Sequence, residues 1–283
     1  MTVLEAIQKS TEFLGKKNVE SARLNAELLL AHVLKMPRMK LYLNFERALT
    51  AVETDGLREL VKRRGNREPL QHITGSTNFC GCEIAVNRQV LVPRPETEML
   101  AELGWQFLST LNAEPSTCLD LCTGSGCIAI AIAVKCPAVQ IVAADISPEA
   151  LALAGENAKR NNASTQIEFL QGDGFSPIKA GARFDLIVSN PPYIPSGEIA
   201  ALEPEVRDFD PHLALDGGDD GLVFYRRLAA EARPFLKPEG KIMLEFGDGQ
   251  SDAIKKIFEG EKWIVEAVQE DYSHRARILV ARL

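Results

Sequence analysis

The sequence lacks both a long apolar run and an excess of positive charge. No stretch reaches the roughly 18 consecutive apolar residues that a membrane-spanning helix needs. The first residues also lack the basic start and apolar run of a signal peptide, so we expect a cytoplasmic protein with no membrane partner. The formal net charge of −7 disfavours a nucleic-acid backbone as the partner, because such partners select for basic surfaces. Direct binding to nucleic acid is therefore not expected.

Cysteine pairs with the spacing of zinc ligands are also missing. The six cysteines of the chain are Cys80, Cys82, Cys118, Cys122, Cys127 and Cys136. Their spacing does not repeat the paired pattern of structural zinc sites, so we expect no bound metal ion. An even number of cysteines suggests a disulfide framework only in short secreted chains. We expect reduced thiols that pack as small apolar side chains.

The patterns that are present divide the chain into three parts. Residues 1–73 repeat apolar side chains at helical spacing, and a capping box from Thr50 to Glu53 predicts the start of one helix. We expect a small helical-bundle domain there, without catalytic groups. Residues 74–92 carry glycines between apolar side chains, which predicts a β-hairpin that links two domains. Residues 93–283 form the last domain.

Strands and helices alternate in that last domain. Its strands are predicted over residues 117–121, 140–144, 167–170, 184–188, 241–246, 263–268 and 277–281. Pro95 is expected in the first turn of a helix that precedes them, and Ser147 with Pro148 indicates the start of another helix. This alternation is typical of an α/β fold with a parallel, doubly wound sheet. Ligands of such folds bind outside the carboxyl ends of the strands.

A glycine turn follows the first of these strands. Cys122-Thr123-Gly124-Ser125-Gly126 separates the strand from an apolar helix. The two glycines let a ligand approach the backbone, and the start of the helix offers unpaired N–H groups. We therefore predict that these five residues bind a cofactor. A strand–helix turn without a ligand is the alternative interpretation.

Asp145 ends the next predicted strand, about 20 residues after the glycine turn. A carboxylate at this place can accept hydrogen bonds from the hydroxyl groups of a ribose, or it can cap the helix that follows. The glycine turn and Asp145 do not distinguish S-adenosylmethionine from NAD. Gly124-x-Gly126-x-x-Ala129 also fits the loose dinucleotide pattern.

Asn190-Pro191-Pro192-Tyr193 follows the fourth predicted strand and favours methyl transfer to a planar nitrogen. An amide nitrogen is a poor nucleophile, because its lone pair is delocalised into the carbonyl group. The Asn190 side-chain carbonyl and the Pro191 backbone carbonyl can accept its two N–H groups. Tyr193 offers an aromatic face, and the prolines stiffen the turn so that alignment is kept.

We predict that these four residues bind the substrate. Asn190, Pro191 and Tyr193 are the predicted catalytic residues, and Asn190 is also expected to contact the cofactor. The cofactor that suits this chemistry is S-adenosylmethionine, with S-adenosylhomocysteine as the product.

The motif indicates the reaction more strongly than the substrate, since adenine, guanine and glutamine all present a planar nitrogen. One alternative is therefore a nucleic-acid amino-methyltransferase acting on adenine N6 or guanine N2. It would require access to the base and a basic track for the phosphates. A second alternative is an NAD-dependent oxidoreductase, and a third is a binding module without catalytic activity.

Nearly the whole chain resembles the HemK-type family, the N5-glutamine methyltransferases of class-I peptide-chain release factors. The resemblance lies in residues 68–75, 91–98, 122–126, 190–193 and 205–222. It implies a Rossmann-like class I methyltransferase domain, joined by a hairpin to a helical domain that docks the release factor. The implied substrate is the glutamine of a Gly-Gly-Gln loop. Glu205, inside the last of these segments, is expected to be a solvated loop carboxylate.

The resemblance also extends the candidate site. It implies that Arg94 and Thr97 lie near the cofactor, although the start of a helix explains both residues as well. It further implies that Asp173 and Gly174 lie near the adenine. Many family members have tryptophan at the position of Gly174, so a stacking partner is either lost or supplied by Phe175.

Overall fold

The computed structural model describes residues 1–111 and 115–283, and these form two compact units. The first unit consists of Met1–Ser76 and Glu203–Phe209, and the second of Thr77–Leu202 and Asp210–Leu283. The sequence did not predict that a segment from the second half of the chain belongs to the helical unit.

The first unit is helical. Its helices before residue 76 are α1 (Val3–Lys16), α2 (Ala22–Val33), α3 (Arg38–Leu41), α4 (Ala51–Gly65) and α5 (Leu70–Thr74). The predicted capping box is confirmed, since the Thr50 hydroxyl accepts from the Glu53 N–H at 3.2 Å and the Glu53 carboxylate accepts from the Thr50 N–H at 2.9 Å. Apolar side chains of α1, α2 and α4 form the core of this unit.

Ion pairs hold the segment Glu203–Phe209 in the first unit. Arg64 lies 2.9 Å and Arg67 lies 2.6 Å from the Glu205 carboxylate. Burial acts to raise the pKa of Glu205, but the hydrogen bonds from Arg67 and Arg64 lower it below its ordinary value. The expectation of a solvated carboxylate was wrong, because two guanidinium groups take the place of water.

The other elements build the hairpin and the large sheet of the second unit, apart from one helix in the segment just described. In chain order they are β1 (Ser76–Phe79), β2 (Cys82–Ala85), α6 (Thr97–Thr110), β3 (Thr117–Leu121), α7 (Cys127–Lys135), β4 (Gln140–Asp145), α8 (Pro148–Arg160), β5 (Ile167–Gln171), β6 (Phe184–Ser189), α9 (Pro204–Arg207), α10 (Val223–Glu231), β7 (Leu236–Glu245), α11 (Ser251–Gly260), β8 (Ile264–Glu270) and β9 (Ala276–Arg282). Short 3-10 helices span Ser196–Ala201, His212–Ala214 and Arg233–Phe235.

The large sheet has seven strands in the order β5-β4-β3-β6-β7-β9-β8. Strands β3 to β7 pair in parallel, whereas β9 pairs antiparallel with both β7 and β8. The prediction of a parallel sheet is therefore confirmed for β3 to β7 and was wrong for β9. Only residues 271–275 separate β8 from β9, and such a connection is too short for the crossover that parallel neighbours require.

Apolar side chains cover both faces of this sheet. Along β6, Leu186 and Val188 pack on one face and Ile187 on the other. Helices α6, α7 and α8 contribute to the first of these two cores, and α10 and α11 to the second. Because both faces are covered, the ends of the strands are where a ligand can reach this sheet.

Helix α6 begins later than the sequence predicted. Its first residue is Thr97 and its N-cap is Glu96, so Pro95 precedes the helix. The Thr97 N–H donates to the Arg94 carbonyl at 3.1 Å, and the Glu98 N–H donates to the Pro95 carbonyl at 3.2 Å. These bonds span three residues and not four, so Pro95 lies in a tight turn before the helix.

All six cysteines are free, which confirms the expectation of reduced thiols. Within residues 1–111 and 115–283, no cluster of His, Cys, Asp and Glu side chains could hold a metal ion. None of the helices in these residues has the length and apolar character that crossing a membrane demands.

Candidate active site

A cavity of about 410 Å³ opens at the carboxyl ends of β3, β4, β5 and β6. A volume of this size admits a small-molecule ligand. The cavity lies entirely within the second unit. Most of the predicted site residues line it, namely Arg94, Thr97, Cys122, Thr123, Gly124, Ser125, Asp145, Asp173, Gly174, Asn190 and Pro192.

Three predicted residues do not line the cavity: Gly126, Pro191 and Tyr193. Gly126 has a φ of +79°, and a Cβ there would lie 3.0 Å from the Ala154 side chain. Its absent side chain therefore lets α7 pack against α8. The Tyr193 ring packs against the core beneath the sheet edge, and burial raises the pKa of its hydroxyl to about 12.

The glycine turn is tied to the end of β4 by Asp145. The Gly124 N–H donates to Asp145 Oδ2 at 2.8 Å, and the Ser147 N–H donates to Oδ1 at 3.0 Å. Burial raises the pKa of the Asp145 carboxyl above its ordinary value, although these backbone hydrogen bonds oppose the rise. Asp145 thus contacts both the turn and the start of α8, as the helix-cap alternative predicts, and it also lines the cavity.

Asp120 supports the same turn from inside the protein. Its side chain is fully buried, and the Thr123 hydroxyl donates to its Oδ2 at 2.6 Å. Burial raises the pKa of Asp120 to about 7. Asp120 was not among the predicted site residues, although a single carboxylate between Leu119 and Leu121 in an apolar strand is a usable signal.

Asn190 lies directly after β6 and close to the start of α6. Its side-chain nitrogen Nδ2 donates to Thr97 Oγ1 at 3.2 Å, which leaves Oδ1 out of this hydrogen bond. The preceding Ser189 hydroxyl donates to the Leu121 carbonyl at 2.7 Å. The end of β6 is therefore anchored to both β3 and α6, and the Asn190 side chain is held at the cavity wall.

Arg94 holds the loop that begins at Asp210. The Arg94 Nη2 lies 2.6 Å from Asp210 Oδ2, and the Val92 N–H donates to Oδ1 at 3.4 Å. Burial raises the pKa of Asp210 to about 6, and the charge of Arg94 opposes the rise. Residues after Asp210, including Leu213 and Asp216, line the cavity. Asp210 was not predicted from the sequence, because only the fold brings it next to Arg94.

Arg227 and Phe224 occupy the region beside Gly174. The Arg227 Nη1 lies 2.8 Å from Asp173 Oδ1, and its Cζ lies 5.5 Å from the centre of the Phe224 ring. Gly174 has a φ of +58°, and a Cβ there would lie 2.8 Å from Arg227 Nη2. Both Phe224 and Arg227 line the cavity, and neither was predicted.

Phe175 is not placed to stack on a ligand in this cavity. It is 6% exposed and stacks on Phe235, with ring centres 4.9 Å apart and planes 9° apart. Of the two alternatives raised by Gly174, the structure therefore excludes a stacking role for Phe175. Phe224 is an aromatic side chain that does line the cavity.

Two protein families match successive parts of the chain. The PrmC N-terminal domain family matches residues 5–75, and the methyltransferase small domain family matches residues 104–206. The second match contains the glycine turn, Asp145 and Asn190.

Similar proteins cover almost the whole chain. The release factor glutamine methyltransferase of Geobacter sulfurreducens is 43% identical over 91% of this chain and 88% of its own length. The protein of the same name from Koribacter versatilis is 39% identical over 100% of this chain and 99% of its own. A methyltransferase from Pyrococcus furiosus has a similar fold, with a TM-score of 0.50 and 22% identity over 71% of this chain and 88% of that protein. The cavity, the two family matches and the full-length relatives together show that this chain belongs to the release factor glutamine methyltransferase family.

Proposed function

We propose that this protein transfers a methyl group from S-adenosylmethionine to a side-chain amide nitrogen of a class-I peptide-chain release factor. The proposed target is N5 of the glutamine in its Gly-Gly-Gln loop. The observation that carries the proposal is that Asn190 and the glycine turn line the same cavity at the carboxyl edge of the sheet. Family membership favours this function over the nucleic-acid methyltransferase and the oxidoreductase.

The residues of the glycine turn fit a nucleoside-bearing cofactor. A Cβ at Gly124 would project into open space, since its nearest neighbour is the Cys122 carbonyl oxygen at 4.0 Å. The bare backbone thus leaves room for a ligand. Asp145 presents a carboxylate to the same cavity, where it can accept hydrogen bonds from ribose hydroxyl groups. When bound, S-adenosylmethionine supplies an electrophilic methyl group.

The role of Asn190 and Pro191 follows from the chemistry of the amide. The side-chain carbonyl of Asn190 lies at the cavity wall and accepts one N–H group of the glutamine side chain. The backbone carbonyl of Pro191, which follows directly but is not part of the cavity lining, is the proposed acceptor of the other N–H group, so that the nitrogen is held at a fixed distance and angle. The nitrogen would gain the methyl carbon as the carbon–sulfur bond of the cofactor breaks and S-adenosylhomocysteine leaves. The nitrogen would then lose one of its two protons to water, so the product is a secondary amide. No strong base is required, because the nitrogen becomes acidic once it carries the methyl group.

The helical residues 1–73 are proposed to dock the release factor, residues 74–92 to link the domains, and residues 93–283 to carry out the transfer. This division rests on family membership and on the separate match of residues 5–75 to the PrmC N-terminal domain. A cytoplasmic location belongs to the same proposal, since it is where release factors act. No contact with nucleic acid or with a membrane is needed.

The test uses purified protein and S-adenosylmethionine with a labelled methyl group. A class-I release factor, the same factor with alanine in place of the loop glutamine, total RNA and duplex DNA are the four substrates. We expect label in the unmodified release factor alone. Label in RNA or DNA, or equal label in the alanine-substituted factor, would contradict the proposed substrate.

A further inference from the structure

A buried carboxyl group lies behind Asn190. Glu245 is the last residue of β7, and the parallel pairing of β6 with β7 sets Ser189 opposite Leu244. Asn190 directly follows Ser189, and Glu245 directly follows Leu244. The pairing register therefore brings the Asn190 and Glu245 side chains to the same point of the sheet edge. Glu245 is only 3% exposed. A carboxyl group so poorly solvated is rare unless it has a specific partner.

The partners of this carboxyl group are the side chains of the site. Hydrogen bonding from Thr97 and from Asn190 acts to lower the pKa of the Glu245 carboxyl, and Asn190 Nδ2 donates to Thr97 Oγ1 at 3.2 Å. The Tyr225 hydroxyl donates to the main-chain carbonyl of Glu245 and not to its carboxyl group. Within the described part of the chain, Glu245 Oε2 has no hydrogen-bond partner. Asn190, Thr97 and Glu245 therefore form one small buried network.

We infer that Glu245 is a positioning residue that fixes which end of the Asn190 amide faces the substrate. The two ends of an amide have nearly the same shape, so only their hydrogen-bond partners decide the orientation. An ionised carboxylate can only accept hydrogen bonds. It therefore holds the Asn190 nitrogen inward and keeps Oδ1 free to accept the N–H of the substrate. This inference rests on the proposed function, because it assigns Oδ1 as the atom that holds the glutamine.

Protonation of Glu245 removes the preference for one orientation of the Asn190 amide. A protonated carboxyl group can donate a hydrogen bond to Oδ1, which allows the reversed amide to form. Burial raises the pKa of Glu245 to about 7. We expect kcat/KM to fall as the pH drops below about 7, because the ionised form is the one that orients Asn190. The charged or titratable groups near this carboxyl are Glu96, which raises its pKa, Arg277, which lowers it, and Tyr193, Tyr225 and Cys127.

Stability should change in the opposite direction. The ordinary pKa of a glutamic acid is 4.5, and the folded protein raises it to about 7. Between these two values the folded state binds more protons than the unfolded state, so the contribution of Glu245 to stability falls as the pH rises. The ionised form that supports catalysis is thus the less stable form of the protein.

The experiment compares the parent with Glu245→Gln. Glutamine has nearly the same shape but can donate as well as accept, so both orientations of Asn190 become possible. We expect kcat to fall about 100-fold, while the dissociation constant for S-adenosylhomocysteine changes less than about twofold. In the parent, the NMR signals of the Asn190 side-chain NH₂ should titrate with a midpoint near pH 7. In Glu245→Gln this titration should be absent. The difference in unfolding free energy between the two proteins should also vary with pH only between about 4.5 and 7.

Asp185→Asn is the matched control. Asp185 lies at the opposite end of β6, where it pairs with Lys237 at 2.7 Å. The same carboxylate-to-amide change at that end should leave kcat and the Asn190 signals as in the parent.

Equal kcat in Glu245→Gln and the parent would overturn the inference, as would an Asn190 titration that persists in the variant. The NMR and unfolding measurements need no methyl acceptor. If release factor proves not to be the substrate, a midpoint near pH 7 still supports the network, and its absence still contradicts it.

Discussion

Buried carboxyl groups have opposite pKa shifts at the two ends of the parallel strands. At the amino end, Asp185 accepts hydrogen bonds from Lys237 and from Thr117, both the N–H and the hydroxyl. Burial acts to raise its pKa, but these bonds lower it below the ordinary value. At the carboxyl end, burial raises the pKa of Asp120 and of Glu245 to about 7, and each has an oxygen without a partner in the described part of the chain.

This difference separates groups that stabilise the fold from groups that act on a ligand. A carboxylate with a full set of partners stabilises the folded state above its ordinary pKa. A carboxylate held with a raised pKa destabilises the folded state near neutral pH, and such groups cluster where a ligand or a reaction uses them.

Asn190→Ala at the carboxyl end should have the largest effect on methyl transfer. It removes the carbonyl that holds the substrate amide, so we expect kcat to fall by about 10³-fold. Binding of S-adenosylhomocysteine, measured by calorimetry, should change little. Asn78→Ala, at an exposed position in the hairpin, is the control and should behave as the parent. If Asn190→Ala turns over at the parental rate, the cavity edge is not the reaction site.

Asp145→Ala should weaken cofactor binding by about 1–3 kcal/mol, since charged hydrogen bonds to the ribose are lost. The change also leaves the Gly124 and Ser147 N–H groups without their acceptor. Calorimetry with S-adenosylhomocysteine measures the affinity, and thermal unfolding measures the structural part. An unchanged dissociation constant would mean that Asp145 serves only the turn and the helix.

Asp185→Asn at the amino end should reduce stability and leave catalysis intact. We expect a loss of about 2 kcal/mol in the free energy of unfolding at neutral pH, because a charged hydrogen-bond acceptor is removed. Because the folded-state pKa of Asp185 is lowered, its contribution is present above its ordinary pKa of 3.8 and disappears as the pH falls below it. Urea unfolding measures the loss. A reduced kcat would erase the distinction between the two ends.

Gly174→Ala should have the smallest effect, about 1 kcal/mol in stability, from its φ of +58° and from the approach to Arg227 Nη2 at 2.8 Å. Combining it with Arg227→Ala removes the close contact but not the backbone strain. The double variant should therefore lose less stability than the sum of the two single variants. Strict additivity would show that Arg227 moves aside freely and does not define this part of the cavity.

The parts of the fold that local chemistry specifies were predicted well. The capping box at Thr50, the cap formed by Ser147 with Pro148, and the strand Thr117–Leu121 all appear where the sequence placed them. Each depends on residues within a few positions of one another. The predicted direction of β9 was wrong. The pairing of a strand depends on how distant segments meet and not on the pattern within the strand.

Prediction of the candidate site was limited in the same way, to residues that are close together in the sequence. The glycine turn and the residues Asn190 to Tyr193 are contiguous motifs, and their placement at one edge of the sheet follows from the alternation of strands and helices. Asp210, Arg227 and Glu245 were missed, because each acts through a partner that is distant in the sequence. Of these three residues, Glu245 carried a local signal like that of Asp120, as a charged residue between Leu244 and Phe246 at the end of an apolar strand.

Tandem mass spectrometry of a release factor after incubation with S-adenosylmethionine tests the central claim most directly, if parent protein and Asn190→Ala are run side by side. The parent should place a single methyl group on the side-chain nitrogen of the Gly-Gly-Gln glutamine, and Asn190→Ala should leave that glutamine unmodified while still binding S-adenosylhomocysteine. A methyl group on another residue, or equal modification by both proteins, would contradict the assignment of Asn190 as the group that holds the substrate amide.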